Sequence, residues 1–283
     1  MAGRHRAAVA TAFVAAVIGA IYAQRPFRVY PSMEGYDQIP LPPDYQEKTE
    51  WVQARLMYPQ HPQARFSRYA RFGGGLPDWR EGGTSWTQDY PRADRHFATA
   101  LRRLTRIHAR SAEQPVSPDD VDDFFNWPWM VAGEMGDWKL TDKQAATLRE
   151  YLLRGGFLMM DDFWGAEEYG RFDESMRKVF PDRPVVDIDD DDAIFHSVYD
   201  LDDRYQIPGR WALDGGRMAF RAMGTVPHWM GVYDDSRRLM VAICFNHDVG
   251  DSWEWADDPR YPEKYSALGI RMGVNYVVYS MTH

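Results

Sequence analysis

The sequence is poor in the residues on which several common chemistries depend. A single cysteine, Cys244, occurs among 283 residues, which excludes an internal disulfide framework. The chain contains no G-x-S-x-G and no H-E-x-x-H sequence, so it lacks the signatures of a serine α/β-hydrolase and of a zinc protease. Lys and Arg total 33 against 42 Asp and Glu, for a formal net charge of −9. This deficit of positive charge argues against nucleic-acid binding, which depends on basic side chains at phosphates.

The first residues have the order of a secretory signal peptide. Basic residues at positions 4 and 6 precede an apolar stretch over residues 7–22, which is followed by the small residue Ala23. We therefore predict that residues 1–23 are a signal peptide and that the protein is exported to the periplasm or the extracellular space. The apolar stretch is shorter than the ~20 residues of a typical membrane span, and an uncleaved membrane anchor over residues 7–22 is the alternative.

The remainder of the chain divides at about residue 65. Residues 24–64 are rich in proline and have no sustained apolar periodicity, which predicts a tether or a surface wrap. Residues 65–283 are predicted to form one domain. The chain as a whole is 45% hydrophobic and 14% aromatic, enough to supply that domain with a sizeable core.

Residues 140–165, LTDKQAATLREYLLRGGFLMMDDFWG, predict a helix, a glycine turn and a buried strand. Thr141 and Gln144 have the spacing of a capping box, and Gly155 suits the left-handed conformation that ends many helices. Residues 157–160 form a continuous apolar run, typical of a parallel sheet that is covered on both faces. Asp161 and Asp162 therefore follow at a strand's carboxyl end, where open α/β sheets bind ligands.

Further strands and helices alternate along the chain. Strands are predicted over residues 66–72, 129–132, 218–223 and 231–245, and helices over residues 94–107, 167–180 and 266–279. The early alternation favours a parallel, doubly wound sheet, whereas the late strands, turning at residues 234–236, indicate an antiparallel edge. We therefore predict a three-layer α/β fold with a mostly parallel sheet and an added antiparallel edge.

Five segments resemble a bacterial family catalogued as domain of unknown function 4159, whose fold is grouped with class I glutamine amidotransferase-like domains. They are WTQDYPRAD (residues 86–94), LREYLLRGGFLMMDDFWG (148–165), AIFHSVYD (193–200), NHDVGDSWEW (246–255) and LGIRMGVNYVVY (268–279). The resemblance implies a three-layer fold and an exported protein, and the family has no established reaction. Its members often occur beside genes for envelope-associated ATPases, which implies a role in envelope assembly.

The resemblance also implies where an amidotransferase would carry its nucleophile. Those enzymes use a cysteine at a sharp strand-to-helix turn, activated by a histidine. The corresponding turn here, residues 161–165, has no cysteine. The family usually has His-Pro where this chain has Asp192 and Ala193, whereas His196 is kept. Amide hydrolysis through a thiolate is therefore not expected.

Several residues near predicted strand ends are candidates for a ligand-binding edge. Aromatic rings beside carboxylates suit sugars, and imidazole with carboxylate suits a transition metal. No metal-ligand spacing supports a metal centre, so we assign neither a metal nor a cofactor. The acidic run at residues 187–192 suits either a solvated loop or a calcium ion. The candidates are Trp86, Asp89, Asp161, Asp162, Trp164, His196, His247 and Asp248.

These features predict an exported, non-catalytic module that binds a ligand or takes part in envelope assembly. Its expected partners are envelope proteins or a small polar or sugar ligand. The alternative hypothesis is a carbohydrate-acting or metal-dependent hydrolase of the cell envelope, in which a neighbouring histidine orients Asp162 as a base. The hydrolase hypothesis requires Asp162, His196 and His247 to share one pocket.

Overall fold

The fold is built on one seven-stranded sheet. The computed structural model describes residues 27–36, 39–64, 77–214 and 226–283. The strands are β1 (Ala54–Leu56), β2 (Gln114–Val116), β3 (Trp129–Ala132), β4 (Phe157–Phe163), β5 (Val186–Asp187), β6 (His228–Tyr233) and β7 (Leu239–Phe245). Their order in the sheet is β2-β1-β3-β4-β7-β6-β5. The neighbours from β2 to β7 run parallel, and β6 and β5 add an antiparallel edge.

Helices cover both faces of this sheet. They are α1 (Arg92–Leu104), α2 (Val121–Phe124), α3 (Asp142–Leu153), α4 (Gly165–Val179), α5 (Arg210–Asp214), α6 (Val249–Glu254) and α7 (Glu263–Thr282). On one face α3 packs against α4, and on the other α1 packs against α6 and α7. Successive residues of β4 alternate between two apolar cores, with Leu158 in the first and Met159 in the second. The predicted three-layer α/β fold with an antiparallel edge is therefore confirmed.

The predicted helix, turn and strand around residue 150 are present. Thr141 Oγ1 accepts the Gln144 N–H at 3.3 Å, and Gln144 Oε1 accepts the Thr141 N–H at 3.0 Å, which closes the capping box. Gly155 has a φ of 108°, a conformation that side chains disfavour. The strand that follows extends to Phe163 and shifts register against β7 after Met160. The shift falls where the two aspartates lie.

The chain enters the sheet earlier than its proline-rich composition indicates. Strand β1 lies within residues 24–64 and is buried between β2 and β3. It contains Arg55, whose Nε donates to both carboxylate oxygens of Asp94 at 3.1 and 3.0 Å. Because this ion pair compensates the charge, a strand with an arginine at its centre can lie inside the sheet.

Other predicted elements are found with shifted ends or lie outside the described residues. The three remaining predicted helices correspond to α1, α4 and α7, and the predicted hairpin corresponds to β6 and β7. The candidate strands at residues 66–72 and 218–223 and the predicted signal peptide lie outside the described part of the chain. The acidic run at residues 187–192 is mainly exposed. Within the described ranges, no helix combines the length and the apolar character that crossing a membrane requires.

Candidate functional site

Acidic side chains converge at the edge of the sheet where parallel strands β4 and β7 end. They come from the connection before α1, from β4, from α6 and the turn that precedes it, and from the segment before β1. Because neighbouring parallel strands end at the same edge, groups far apart in sequence meet there. We call this set the carboxylate cluster: Glu34, Asp89, Asp161, Asp248, Asp251 and Glu254.

The cluster contains two triads of carboxylates. In the first triad, one carboxylate oxygen from each of Asp89, Asp248 and Asp251 lies within 4.8 Å of the other two. The second triad, Glu34, Asp89 and Glu254, meets the same criterion. Asp89 belongs to both triads. Oxygen donors at this spacing suit hard divalent cations such as Ca²⁺, Mg²⁺ or Mn²⁺.

Helix α6 is joined to β4 through one aspartate. The Gly250 N–H donates to Asp161 Oδ2 at 2.6 Å. Asp161 Oδ1 is buried and has no hydrogen-bond partner in the described structure. An acceptor atom left in this state is costly unless a ligand satisfies it.

Asp248 and Asp251 are held in place by neutral donors. Asp248 caps α6, where its Oδ1 accepts the Asp251 N–H at 2.9 Å. The carboxylate of Asp251 accepts the backbone N–H of Arg210 and the indole N–H of Trp255, the latter at 3.2 Å. These groups orient the two carboxylates without contributing a formal positive charge.

Two glycines allow the backbone to approach the cluster closely. A Cβ atom at Gly250 would lie 2.3 Å from Asp89 Oδ2, and one at Gly209 would lie 2.6 Å from Asp248 Oδ2. Both distances are well below van der Waals contact. Any side chain at either position would therefore displace a carboxylate of the cluster.

Burial and mutual repulsion disfavour the charged forms of these carboxyls. Asp89 is 4% exposed and Glu254 is fully buried. Burial, followed by the charges of Asp251 and Glu254, raises the pKa of Asp89 well above its usual range. Burial, followed by the charges of Asp251 and Glu34, raises the pKa of Glu254 to about 10. A bound cation would reverse these shifts because it favours the charged carboxylates.

Asp162 lies beside the cluster but makes different contacts. It has a φ of 49°, and its Oδ1 accepts the indole N–H of Trp164 at 2.6 Å. Its charge raises the pKa of Asp248 on one side and that of Glu168 on the other, in each case after the larger effect of burial. Asp162 therefore lies close enough to interact electrostatically with both the carboxylate cluster and Glu168.

The structure places three of the eight candidates elsewhere. Trp86 is 1% exposed in the core, and its indole N–H donates to the carbonyl of Trp79 at 2.7 Å. His196 contacts the carboxylate of Asp200 and the carbonyl of Asp190, both at 3.0 Å, in the loop that carries the acidic run.

His247 is the third candidate with separate surroundings. It is fully buried and stacks on Trp229 at a centroid distance of 3.8 Å, and its Nδ1 accepts the Ile207 N–H. Burial lowers the pKa of His247 to about 3, which keeps the ring neutral. Among the described contacts, none joins His247 or His196 to Asp162.

Sequence reasoning missed Glu34, Asp251 and Glu254. A signal for two of them was present, because residues 248, 251 and 254 recur at a spacing of three, which places acidic side chains on one face of a helix. Glu34 had no such signal. It approaches the cluster only because the segment before β1 folds back across the connection to α1.

Comparison with known proteins identifies the family of the chain. The model of the family described as a domain of unknown function, DUF4159, matches residues 76–281. A comparison with curated proteins finds no match. The matched region contains every residue of the carboxylate cluster except Glu34. The chain therefore belongs to the DUF4159 family of domains of unknown function.

Proposed function

We propose that the protein is an exported, non-catalytic binding module of the cell envelope, and that a divalent cation forms the centre of its binding site. The cation would be held by Asp89, Asp248 and Asp251. Export is part of this proposal and rests on the signal-peptide pattern of residues 1–23. A reporter enzyme that is active only outside the cytoplasm, fused after residue 64, tests it directly.

The observation that supports the cation most strongly is the approach of three buried aspartate oxygens to within 4.8 Å of one another, with a fourth buried aspartate, Asp161, beside them. Asp161 Oδ2 lies 3.6 Å, and Asp89 Oδ2 lies 2.3 Å, from the position that a Cβ of Gly250 would occupy. Three aspartates of the triad and Asp161 thus bring four negative charges into a region that is at most 7% exposed. Carboxyl groups removed from water in this way either keep a proton or bind a cationic partner.

The donor set favours calcium, magnesium or manganese over zinc or copper. Every candidate ligand in the triad is a carboxylate oxygen, and no histidine or cysteine side chain takes part in it. Hard cations prefer such oxygen ligands, and extracellular calcium modules work at calcium concentrations near 10⁻⁴ to 10⁻³ M, roughly those found outside the cell. A bound cation would neutralise the centre and offer its remaining coordination positions to the hydroxyl or carboxylate groups of a polar or sugar ligand, or of an envelope protein.

Isothermal titration calorimetry of chelator-treated protein with CaCl₂, MgCl₂ and MnCl₂ tests the proposal. We expect saturable binding of at least one of these cations to the unaltered chain. Asp89→Asn should weaken binding by about tenfold or more, because it removes a ligand charge and keeps the shape. Asp202→Asn, at an exposed position, is the matched control. If no cation binds, or if Asp89→Asn binds as tightly as the control, the proposal is wrong.

The hydrolase alternative has less support from the geometry. Carboxyl pairs that cleave glycosides stand about 5 to 10 Å apart across a groove, whereas the oxygens of the triad lie within 4.8 Å. The base and histidine pairing that the alternative requires is also missing among the described contacts.

A further inference from the structure

The amino-terminal segment crosses the domain next to the carboxylate cluster. We call residues 27–36 and 39–45 the amino-terminal strap. The Gly83 N–H donates to the carbonyl of Pro31 at 2.8 Å, and the Tyr30 N–H donates to the hydroxyl of Tyr90 at 3.3 Å. The guanidinium of Arg95 donates to the carbonyl of Pro40 at 2.9 Å. These contacts hold the strap on α1 and on the connection between β1 and α1. The strap itself lies outside the region that the family model matches.

The strap brings one acidic side chain to the cluster in a defined orientation. The side-chain amide of Gln88 donates to Glu34 Oε1, and the backbone N–H of Asp89 donates to Glu34 Oε2, both at 2.8 Å. A carboxylate oxygen of Glu34 then lies within 4.8 Å of oxygens from Asp89 and Glu254. Neutral donors thus position a third carboxylate against two others.

A separate observation indicates that this triad is made for a ligand. Glu254 is fully buried. Apart from the Tyr36 hydroxyl, its hydrogen-bonding neighbours are themselves acidic, Glu34 and Asp251. In its ionised form, a buried carboxylate with one neutral hydroxyl donor and two acidic neighbours is costly unless a cation binds it. Its oxygen nevertheless faces those of Glu34 and Asp89 instead of a basic side chain, which is the arrangement of a cation site.

The charges of the two triads also exceed what one cation can neutralise. Their five carboxylates carry five negative charges when ionised, so one divalent cation leaves three of them uncompensated. A second divalent cation leaves one. In a buried site, where like charges repel strongly, the second cation lowers the electrostatic cost of docking the strap.

We propose that Glu34, Asp89 and Glu254 bind a second divalent cation, which fastens the amino-terminal strap to the domain. This inference rests on the proposed function, since Asp89 would be shared with the first cation. The strap is then held more firmly when cation is abundant, and it opens more often when cation is withdrawn.

The test combines the stoichiometry of cation binding with amide hydrogen exchange of residues 27–36. The unaltered chain should bind two cations, and cation should slow exchange in the strap. Glu34→Gln should bind one cation with unchanged affinity for the first site, and cation should no longer slow exchange in its strap. Glu254→Gln, on the opposite side of the site, should cause the same loss. Glu47→Gln, exposed near the end of the strap, should behave as the unaltered chain does.

The possible failures are distinguishable. If the unaltered chain binds one cation, and Glu34→Gln binds it equally well with cation-independent exchange in both straps, the second site is refuted while the proposed function stands. If Glu34→Gln still binds two cations, the second site does not use the strap and this inference is wrong. If neither protein binds any cation, both proposals fall together.

Discussion

The half-buried glutamate Glu168 makes the stability of the fold decrease as pH rises. Glu168 lies in the first turn of α4, where its Oε2 accepts the Trp164 N–H at 2.7 Å. Burial, with a smaller effect from the charge of Asp162, raises the pKa of Glu168 from 4.5 to about 7. Below pH 4.5 the carboxyl is protonated in both the folded and the unfolded chain. Between pH 4.5 and 7 only the folded chain keeps the proton, so rising pH favours unfolding.

The size of this effect follows from the shift of the pKa. One pH unit corresponds to 1.36 kcal/mol for one proton, and the interval between 4.5 and about 7 is about 2.5 units. The free energy of unfolding should therefore fall by roughly 3 kcal/mol as pH rises through this window, and the loss should be complete above pH 7.

Glu168→Gln removes the titrating group and keeps an oxygen that can accept the Trp164 N–H. Urea unfolding at pH 4.5 and pH 8, with chelator present throughout, should show that the variant loses about 3 kcal/mol less than the unaltered chain between the two values. Glu167→Gln is the matched control, because the neighbouring Glu167 side chain is 75% exposed in its ion pair with Arg171. Such exposed pairs contribute under about 1 kcal/mol. Equal losses for Glu168→Gln and the unaltered chain would refute the assigned cause.

Three further predictions concern single contacts. Gly250→Ala places a methyl group 2.3 Å from Asp89 Oδ2, and should weaken cation binding in calorimetry by about tenfold or more. Arg55→Met leaves the fully buried Asp94 without its ion-pair partner, and should lower the free energy of unfolding in urea by about 3–5 kcal/mol; a smaller loss than for an exposed arginine would contradict the argument. Thr141→Ala removes one half of the capping box and should lower the free energy of unfolding by about 1 kcal/mol. Thermal unfolding measures this loss, and unchanged stability would show that the box contributes nothing.

Local patterns were sufficient to predict the central elements of the fold. The capping residues Thr141 and Gln144, the glycine after the helix and the apolar run that begins at Phe157 all act within a few residues of one another, so their interpretation did not depend on the rest of the chain. Strand β1 is the opposite case. Its arginine indicates a solvent-exposed segment until Asp94, which lies 39 residues further on, is known to pair with it.

The residues of the candidate site also differ in how far the sequence could predict them. Asp161 and Asp248 were predictable because each comes shortly after the apolar run of a strand, and parallel strands end at one edge of a sheet. Glu254 was within reach of a helical spacing argument, since it shares a helix face with Asp251. Trp86, His196 and His247 were expected at the site but lie away from the carboxylate cluster. The reason is the same for all three: their partners come from packing and loop contacts that no spacing in the sequence indicates.

The sequence by itself determined the layered α/β architecture, the absence of a thiol nucleophile at the strand-to-helix turn, and the position of acidic residues at strand ends, because periodicity, capping and turn chemistry are local properties. Only the tertiary structure decided which acids meet. Glu34, Asp89 and Glu254 are separated by long stretches of chain, and their approach within 4.8 Å results from strand order and from the path of the amino-terminal strap. Burial, which gives those carboxylates their unusual pKa values, exists only once the chain has folded around them.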